Sequence, residues 1–346
     1  MSRDAPASSA PAGRIGVLLV NLGTPDALGY WPVRRYLREF LSDRRVVNTS
    51  RLVWWPVLNL IILSTRPQRS SEAYATIWNR ELDESPLKTV TRSQAEKLAR
   101  LATEGAFGDE TILVDWAMRY ANPPIREGLE RLRAAGCGRV LIVPLYPQYA
   151  GATTESVADK VAESLRKMRW RPELRSVPPY YADPVYVEAL AQSTREHLAA
   201  LPFEPEVLLL SFHGIPKSYV EAGDPYYAHC LETGRLLREA LDLSEERCPI
   251  TFQSRFGRTE WIRPYTDETV KALAAKGVKR LAVATPGFSV DCLETISEIG
   301  IENRDYFLEH GGEAFAQVPC LNDSALGMKV VRHIVAGALD GWTPAR

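Results

Sequence analysis

The chain has 346 residues, 45% of them hydrophobic and 25% charged, with a formal net charge of −1 from 42 basic and 43 acidic side chains. That length suits two domains of ordinary size, and the balanced charge excludes a global field that would recruit nucleic acid. Five scattered cysteines without a CxxC pair exclude a disulfide framework and point to a reducing compartment, and no apolar run is long enough to span a bilayer.

In chain order, residues 1–13 are rich in Ala, Ser and Pro, lack the apolar stretch of a signal peptide, and read as a disordered leader. A strand at 15–20 ends in Asn21-Leu22-Gly23-Thr24-Pro25, and a helix follows at 32–40. Residues 52–58 (Leu-Val-Trp-Trp-Pro-Val-Leu) have neither helical nor alternating spacing. Ser85-Pro86 opens a helix to about 103, the proline fitting a first turn. A strand at 111–116 runs into Met118-Arg119-Tyr120, then come a helix at 124–135, a strand at 139–145, a helix at 154–167 and a strand at 174–177.

The second half repeats the rhythm. Asp183-Pro184 pairs an N-cap with a first-turn proline and launches a helix to 201. The run Val207-Leu208-Leu209-Leu210-Ser211-Phe212-His213 reads as a strand buried on both faces. Asp224-Pro225 starts a helix to 241, and strands at 250–253, 281–285 and 314–318 alternate with helices near 267–276 and 292–307. A last helix covers 324–339. Strands alternating with helices across short connections mean an α/β fold with parallel sheets.

The alternation contains a duplication. Leu18 to Pro25 aligns with Leu209 to Pro216, which sets His213 on Leu22; residues 136–154 align with 277–295, which sets Glu294 on Thr153. Met118-Arg119-Tyr120-Ala121 resembles Ser254-Arg255-Phe256-Gly257. Two related α/β domains facing across a cleft follow, one wall ionisable and the other apolar, which suits a flat, mostly apolar ligand.

The chemistry sits on the second half. His213 lies where a buried strand stops at Gly214 and Pro216, and ligands of open α/β sheets bind at the carboxyl ends of strands. A histidine there can exchange a proton near neutral pH or bind a metal. After the strand at 281–285, Glu294, Glu298 and Glu302 recur every fourth residue and so line one helical face, with Leu293, Ile296 and Ile299 burying the Glu294 end. An imidazole with carboxylates can take a first-row divalent ion transiently. No HExxH or Cys/His cluster marks a closed zinc site, and no GxGxxG or GxxxxGK[ST] marks a nucleotide site. His229 reads as packing or surface, and His197, His310 and His333 have no motif around them. Arg255 fits either a carboxylate ligand or a surface ion pair, and Trp261 either the cleft wall or the core.

Ser211-Phe212-His213-Gly214-Ile215-Pro216, Phe252-Gln253-Ser254-Arg255-Phe256-Gly257 and Asp291-Cys292-Leu293-Glu294-Thr295 together resemble the ferrochelatase family, enzymes that insert ferrous iron into a porphyrin. Asn21-Leu22-Gly23, Met118-Arg119-Tyr120, Tyr146-Pro147-Gln148-Tyr149 and Pro264-Tyr265-Thr266-Asp267-Glu268 match as well, and the likeness spans roughly residues 15–339. The resemblance implies two Rossmann-like domains with parallel four-stranded sheets around a porphyrin cleft: domain 1 at 14–182 with an active-site lip at 52–69, domain 2 at 183–322 with the catalytic residues, and a C-terminal segment at 323–346 packing back on domain 1. It further implies His213 and Glu294 as catalytic and metal-ligating, Glu298 as a relay, and Leu22, Tyr74, Arg119, Tyr120, Ser254 and Trp261 as substrate-binding. Ferrous iron and protoporphyrin IX are the expected substrates, with no permanent cofactor. Cys292 stands where some members carry histidine, and Gly151 occupies the position of an internal cluster cysteine, so no iron–sulfur cluster is expected. The lip, with Trp54, Leu58 and Ile61 facing lipid and Arg66 and Arg69 beside it, would hold a cytoplasmic protein peripherally against the inner membrane. The rival readings are a tetrapyrrole or metal carrier without catalysis and a coproporphyrin or cobalt chelatase.

Overall fold

Strands that read as unbroken apolar runs need cover on both faces, and the chain supplies it twice. The computed structural model describes residues 14–108, 111–255, 257 and 259–342; the leader expected at 1–13, and Phe256, lie outside them. Strands β1 (Arg14–Gly23), β2 (Ile112–Tyr120), β3 (Cys137–Pro144) and β4 (Glu173–Ser176) form one parallel sheet in the order β2-β1-β3-β4. Strands β5 (Val207–His213), β6 (Ile250–Gln253), β7 (Arg280–Ala284) and β8 (Ala314–Gln317) form a second in the order β6-β5-β7-β8. The two orders are the same permutation, which is the duplication in three dimensions.

In the first half the helices are α1 (Tyr30–Leu41), α2 (Arg51–Pro56), α3 (Leu63–Ile77), α4 (Pro86–Thr103), α5 (Ile125–Ala134) and α6 (Ser156–Met168). The second half adds α7 (Pro184–Ala199), α8 (Lys217–Glu221), α9 (Tyr226–Leu241), α10 (Thr266–Ala275), α11 (Arg304–Glu309) and α12 (Ala325–Leu339). Asp183 caps α7 as its sequence indicates, its carboxylate accepting from the backbone N–H groups of Val185 and Tyr186. Three segments wind as π-helix: Val57–Ile62, Gly151–Glu155 and Glu294–Asn303. The last two follow the third strand of their sheets, so the offset pairing residues 136–154 with 277–295 holds.

One pairing inferred from sequence needs correcting. In the first half the N–H of Met118 donates to Pro123 O at 2.7 Å, and in the second the N–H of Phe252 donates to Pro264 O at 2.8 Å. Met118 therefore corresponds to Phe252 and Arg119 to Gln253, two residues from the match of Met118 with Ser254. Strand register agrees: Gln253 lies opposite His213, and Asn21 and Gly23 pair with Met118 and Tyr120 on either side of Leu22. The loop after β6 is longer than that after β2, and the extra residues drew the similar letters out of step.

The stretch 52–58 is also helical. It runs through α2 into a π-turn, whose wider winding removes the α period from the sequence. Leu58 and Ile62 pack with Leu41 and Leu63, and the indole N–H of Trp54 donates to Leu41 O at 2.7 Å. Trp54 and Leu58 thus face inward, whereas Leu52, Trp55 and Leu60 are 89%, 62% and 71% exposed. Among the described residues no helix is long and apolar enough to cross a membrane.

A continuous buried cluster joins the sheets: Leu19, Leu141 and Val143 of the first share it with Leu210 and Phe212 of the second and with Val331 and Val335 of α12. Each such side chain contributes about 1.5–3 kcal/mol on burial. Just before α12, Asp323 binds Lys97 Nζ at 2.5 Å and Ser93 Oγ at 2.6 Å on α4, while Asn322 exchanges hydrogen bonds with Asp291 of the second half.

Gly23 ends β1 with φ of 114°, and a Cβ there would lie 2.0 Å from Tyr120 O. Gly23→Ala is expected to destabilise the fold by roughly 2–4 kcal/mol, read as a lower urea midpoint with unchanged slope. An unchanged midpoint would show that β1 and β2 part without cost at this end.

Candidate active site

β5 delivers His213 to the carboxyl edge of its sheet, and Gly214 turns the chain away at once. The N–H of Gly214 donates to Gln253 O at 2.7 Å. A Cβ at residue 214 would sit 2.9 Å from that oxygen and 3.1 Å from the Trp261 ring, so only glycine passes. His213 is half-buried, with Nδ1 2.6 Å from Gly214 O. A carbonyl only accepts, so Nδ1 carries the hydrogen and the neutral ring keeps its free lone pair on Nε2. Trp261 and Phe288 flank the imidazole, their ring centroids 6.4 and 6.5 Å away.

The acidic row grades from interior to surface: Glu294 and Glu298 are half-buried and Glu302 is exposed. One Glu298 oxygen accepts from the Ser254 N–H at 2.8 Å; the other accepts from the Ser254 hydroxyl and, at 3.4 Å, from Gln253 Nε2. Gln253 Nε2 also donates to Glu294 O at 2.8 Å. Burial pushes the Glu298 carboxyl above its usual range; hydrogen bonds from Ser254 and the nearness of His213 pull the other way, Glu294 adds to the rise, and the net direction is up. Glu294 also acts on the aromatic wall. Its charge adds to burial in raising the Tyr74 phenol, and adds to burial and Tyr74 in raising that of Tyr36.

That wall comes from the first half. Tyr36, Tyr74, Trp78 and Tyr120 are buried together, Tyr74 meeting Tyr36 and Trp78 edge-on with ring centroids 6.4 Å apart, and Leu22, Leu293 and Ile296 pack against them. Leu22 and Phe288 also pack against the cluster of Leu87, Val290 and Cys292. The apolar and ionisable walls inferred from the duplication therefore touch through Leu22, Leu293 and Ile296.

Arg119 and Tyr120 belong to a second buried carboxylate, Asp43, in the loop after α1. Arg119 Nη2 lies 2.5 Å from an Asp43 oxygen that also accepts from Tyr120 Oη at 2.9 Å and Ser156 Oγ at 2.6 Å. Burial alone would raise this carboxyl, but hydrogen bonds from Ser156 and the Arg45 N–H, and then the Arg119 charge, outweigh it and bring it below the usual value. Arg119 corresponds to Gln253, so the two halves hold buried carboxylates beside matching strand ends. One is matched by a guanidinium and the other only by neutral donors.

Arg255 and three of the other histidines find structural partners, whereas His197 keeps a buried Nε2 without a hydrogen-bond partner. Arg255 binds Asp267 and Glu268 at 2.9 and 2.7 Å on an exposed face. His229 stacks on Tyr181 with centroids 3.7 Å apart. His333 contacts Asp183 at 3.0 Å, and His310 Nδ1 lies 2.8 Å from Tyr306 O. Sequence reasoning missed the tie from Gln253 to Glu298, and it missed Asp43, whose only signal was the charged triplet Asp43-Arg44-Arg45. It also missed Ser85, whose buried hydroxyl has no hydrogen-bond partner two residues from Leu87. Among the described residues no three His, Cys, Asp or Glu side chains cluster as a ready metal cage.

The family model described as Ferrochelatase matches residues 14–339. The chain is 76% identical over 334 residues to the ferrochelatase of Methylocella silvestris, covering 96% of each, and 57% identical to that of Rhizobium meliloti, covering 95% of this chain and 96% of the relative. In fold it is similar to SirB of Bacillus subtilis solved with Fe3+ (TM-score 0.55, 9% identity, 95% of this chain and 96% of that one). It is likewise similar to the sirohydrochlorin chelatase SirB of Bacillus subtilis subspecies spizizenii in complex with cobalt (TM-score 0.53, 9% identity, 95% of each).

The two carboxylates should respond oppositely to pH. Asp43 titrates lower folded than unfolded, so its contribution is present above the ordinary carboxylate range and is lost as pH falls through its folded value. Asp43→Asn should cost about 3 kcal/mol at pH 7, breaking a buried pair, and less below pH 4. Glu298 titrates higher folded, so its contribution is full at acid pH and is lost as pH rises through its folded value. Glu298→Gln should then gain on the wild type as pH rises above the ordinary carboxylate range. Thermal unfolding of both variants from strongly acid to neutral pH checks this, and pH-independent offsets would remove the asymmetry.

Proposed function

Because the chain belongs to the ferrochelatase family and is an enzyme that inserts iron into a porphyrin, we propose that His213, Glu294 and Glu298 divide the work of that insertion. A free porphyrin must lose two N–H protons as its four nitrogens take up Fe2+, which sheds its water. His213 offers one lone pair, on Nε2, which binds the arriving iron first and, once the iron has passed to the porphyrin nitrogens, is free to take one pyrrole proton; the Glu294 carboxylate completes the pair and takes the other. Glu298 accepts protons from that pair, its raised pKa suiting a carboxyl that takes a proton and gives it up again, and exposed Glu302 passes them to water. The single observation behind this reading is the contrast between carboxylates: Asp43 is locked by a cation, whereas Glu298 has only neutral hydrogen-bond donors and so remains free to titrate.

The aromatic and aliphatic wall of Leu22, Tyr74 and Tyr120, with Trp261 facing it from beside His213, is proposed to hold the porphyrin face, Ser254 acting through Glu298. Arg119 serves this wall through Asp43, because its guanidinium is committed there. Iron is cargo in this reading.

His213→Ala should abolish insertion while leaving porphyrin binding within a fewfold of wild type, because the wall survives. Glu294→Gln should approach that loss, and Glu298→Gln should be milder. Absorbance with ferrous iron and protoporphyrin reads all three; wild-type turnover in His213→Ala would overturn the assignment.

We also propose that the lip touches a membrane and that the preferred porphyrin is the less carboxylated protoporphyrin. Leu52, Val53, Trp55, Leu60 and Ile61 lie exposed together on α2 and the following π-turn, Trp31 of α1 is 64% exposed, and Arg66 and Arg69 follow on α3. Such a surface suits shallow burial under anionic headgroups. Changing Leu52, Trp55 and Leu60 together to Ser should release the protein from phosphatidylglycerol vesicles at unchanged melting temperature. Equal vesicle binding by wild type and variant would remove the membrane role.

A further inference from the structure

Gln253 is 3% exposed, bonded on every side, and touches each part of the ionisable wall without reaching the cleft as a charged group. Its backbone carbonyl takes the Gly214 N–H at 2.7 Å, fixing the turn that follows His213, and its position in β6 is directly opposite His213. Its amide then spans from the sheet to the π-helical segment Glu294–Asn303. Glu294 O, 2.8 Å from Nε2, can only accept, so the amide nitrogen must face it and Oε1 must face back toward the sheet. There Oε1 accepts from the Ser211 hydroxyl at 2.7 Å. That hydroxyl has one hydrogen, spent on Gln253, and its oxygen lies 2.8 Å from Thr266 Oγ1. Thr251 Oγ1 lies 2.9 Å beyond Thr266. These groups are all buried, so the amide has one orientation and the second Nε2 hydrogen points at Glu298 Oε2, 3.4 Å away.

We propose that Gln253 is a positioning residue for iron insertion: oriented by Ser211, it holds the start of the π-helical segment and the Glu298 carboxylate at a fixed distance from His213. It touches neither porphyrin nor iron. The corresponding residue of the first half, Arg119, spans the same gap, its Nε donating to Ser156 O at 3.0 Å and its Nη2 to Asp43. A neutral amide in this position ties the segment to the sheet without neutralising the carboxylate, which an arginine would do. The proposal rests on the reading of Glu294 and Glu298 given above.

The test uses Gln253→Met, which keeps length and volume but no polar end, and Ser211→Ala, which removes the hydroxyl that sets the amide. Gln253→Met should lower kcat about tenfold, as loss of alignment does, with the porphyrin KM within about twofold and an unchanged near-ultraviolet spectrum. Ser211→Ala should move kcat the same way by a smaller factor, and it carries the test if Gln253→Met does not fold. Combined with Glu298→Gln, Gln253→Met should lose less than the product of the single losses. Unchanged kcat in both variants, a porphyrin KM rising in step with the kcat loss, or a fully multiplicative double variant would each overturn the proposal. If Glu294→Gln and Glu298→Gln themselves turn over like wild type, the underlying reading fails first; if they lose activity and Gln253→Met does not, this inference alone fails.

Discussion

A carboxylate taken out of water needs a counter-charge, a set of donors or a proton, and the choice among these organises the molecule. At one strand end Asp43 receives Arg119 and stays ionised. At the matching end of the other sheet Glu298 receives an amide, a hydroxyl and a backbone N–H, and its proton affinity rises. The scaffold around the two sites is a repeat, so the difference comes from the side chains set on it. At this strand end the first half matches its carboxylate with a cation, and the second does not.

Much of this was legible because it depends on local pattern. Apolar runs that stop at glycine gave the strands, Asp-Pro pairs gave helix starts, and alternation gave parallel sheets; the internal repeat then placed His213 and Glu294 at equivalent edges. What was not legible depended on distance along the chain. Asp43 reaches Arg119 across 76 positions, and Gln253 reaches Glu294 across 41. Nothing near either residue announces the partner, and the unequal loops after β2 and β6 shifted the apparent pairing of Arg119 by two places.

The lip was obscure for a different reason. Its residues are helical, but the change from α to π winding between Pro56 and Val57 rotates later side chains away from the positions an α period assigns. Trp54 and Leu58 anchor the segment inward, and Leu52, Trp55 and Leu60 are left on the outside. An apolar stretch that defeats both periods can be a helix whose pitch changes part-way.

Asn322 and Asp323 have a mechanical consequence. They fasten α4 of the first half to Asp291, at the root of the acidic segment in the second, through Ser93, Lys97 and paired amide bonds. The mouth between the walls is therefore stitched at that end, like a book at its spine. A displacement of α4 is thereby carried to Asp291, three residues before Glu294 on the same stretch of chain, so the first half can move the acidic row without touching it.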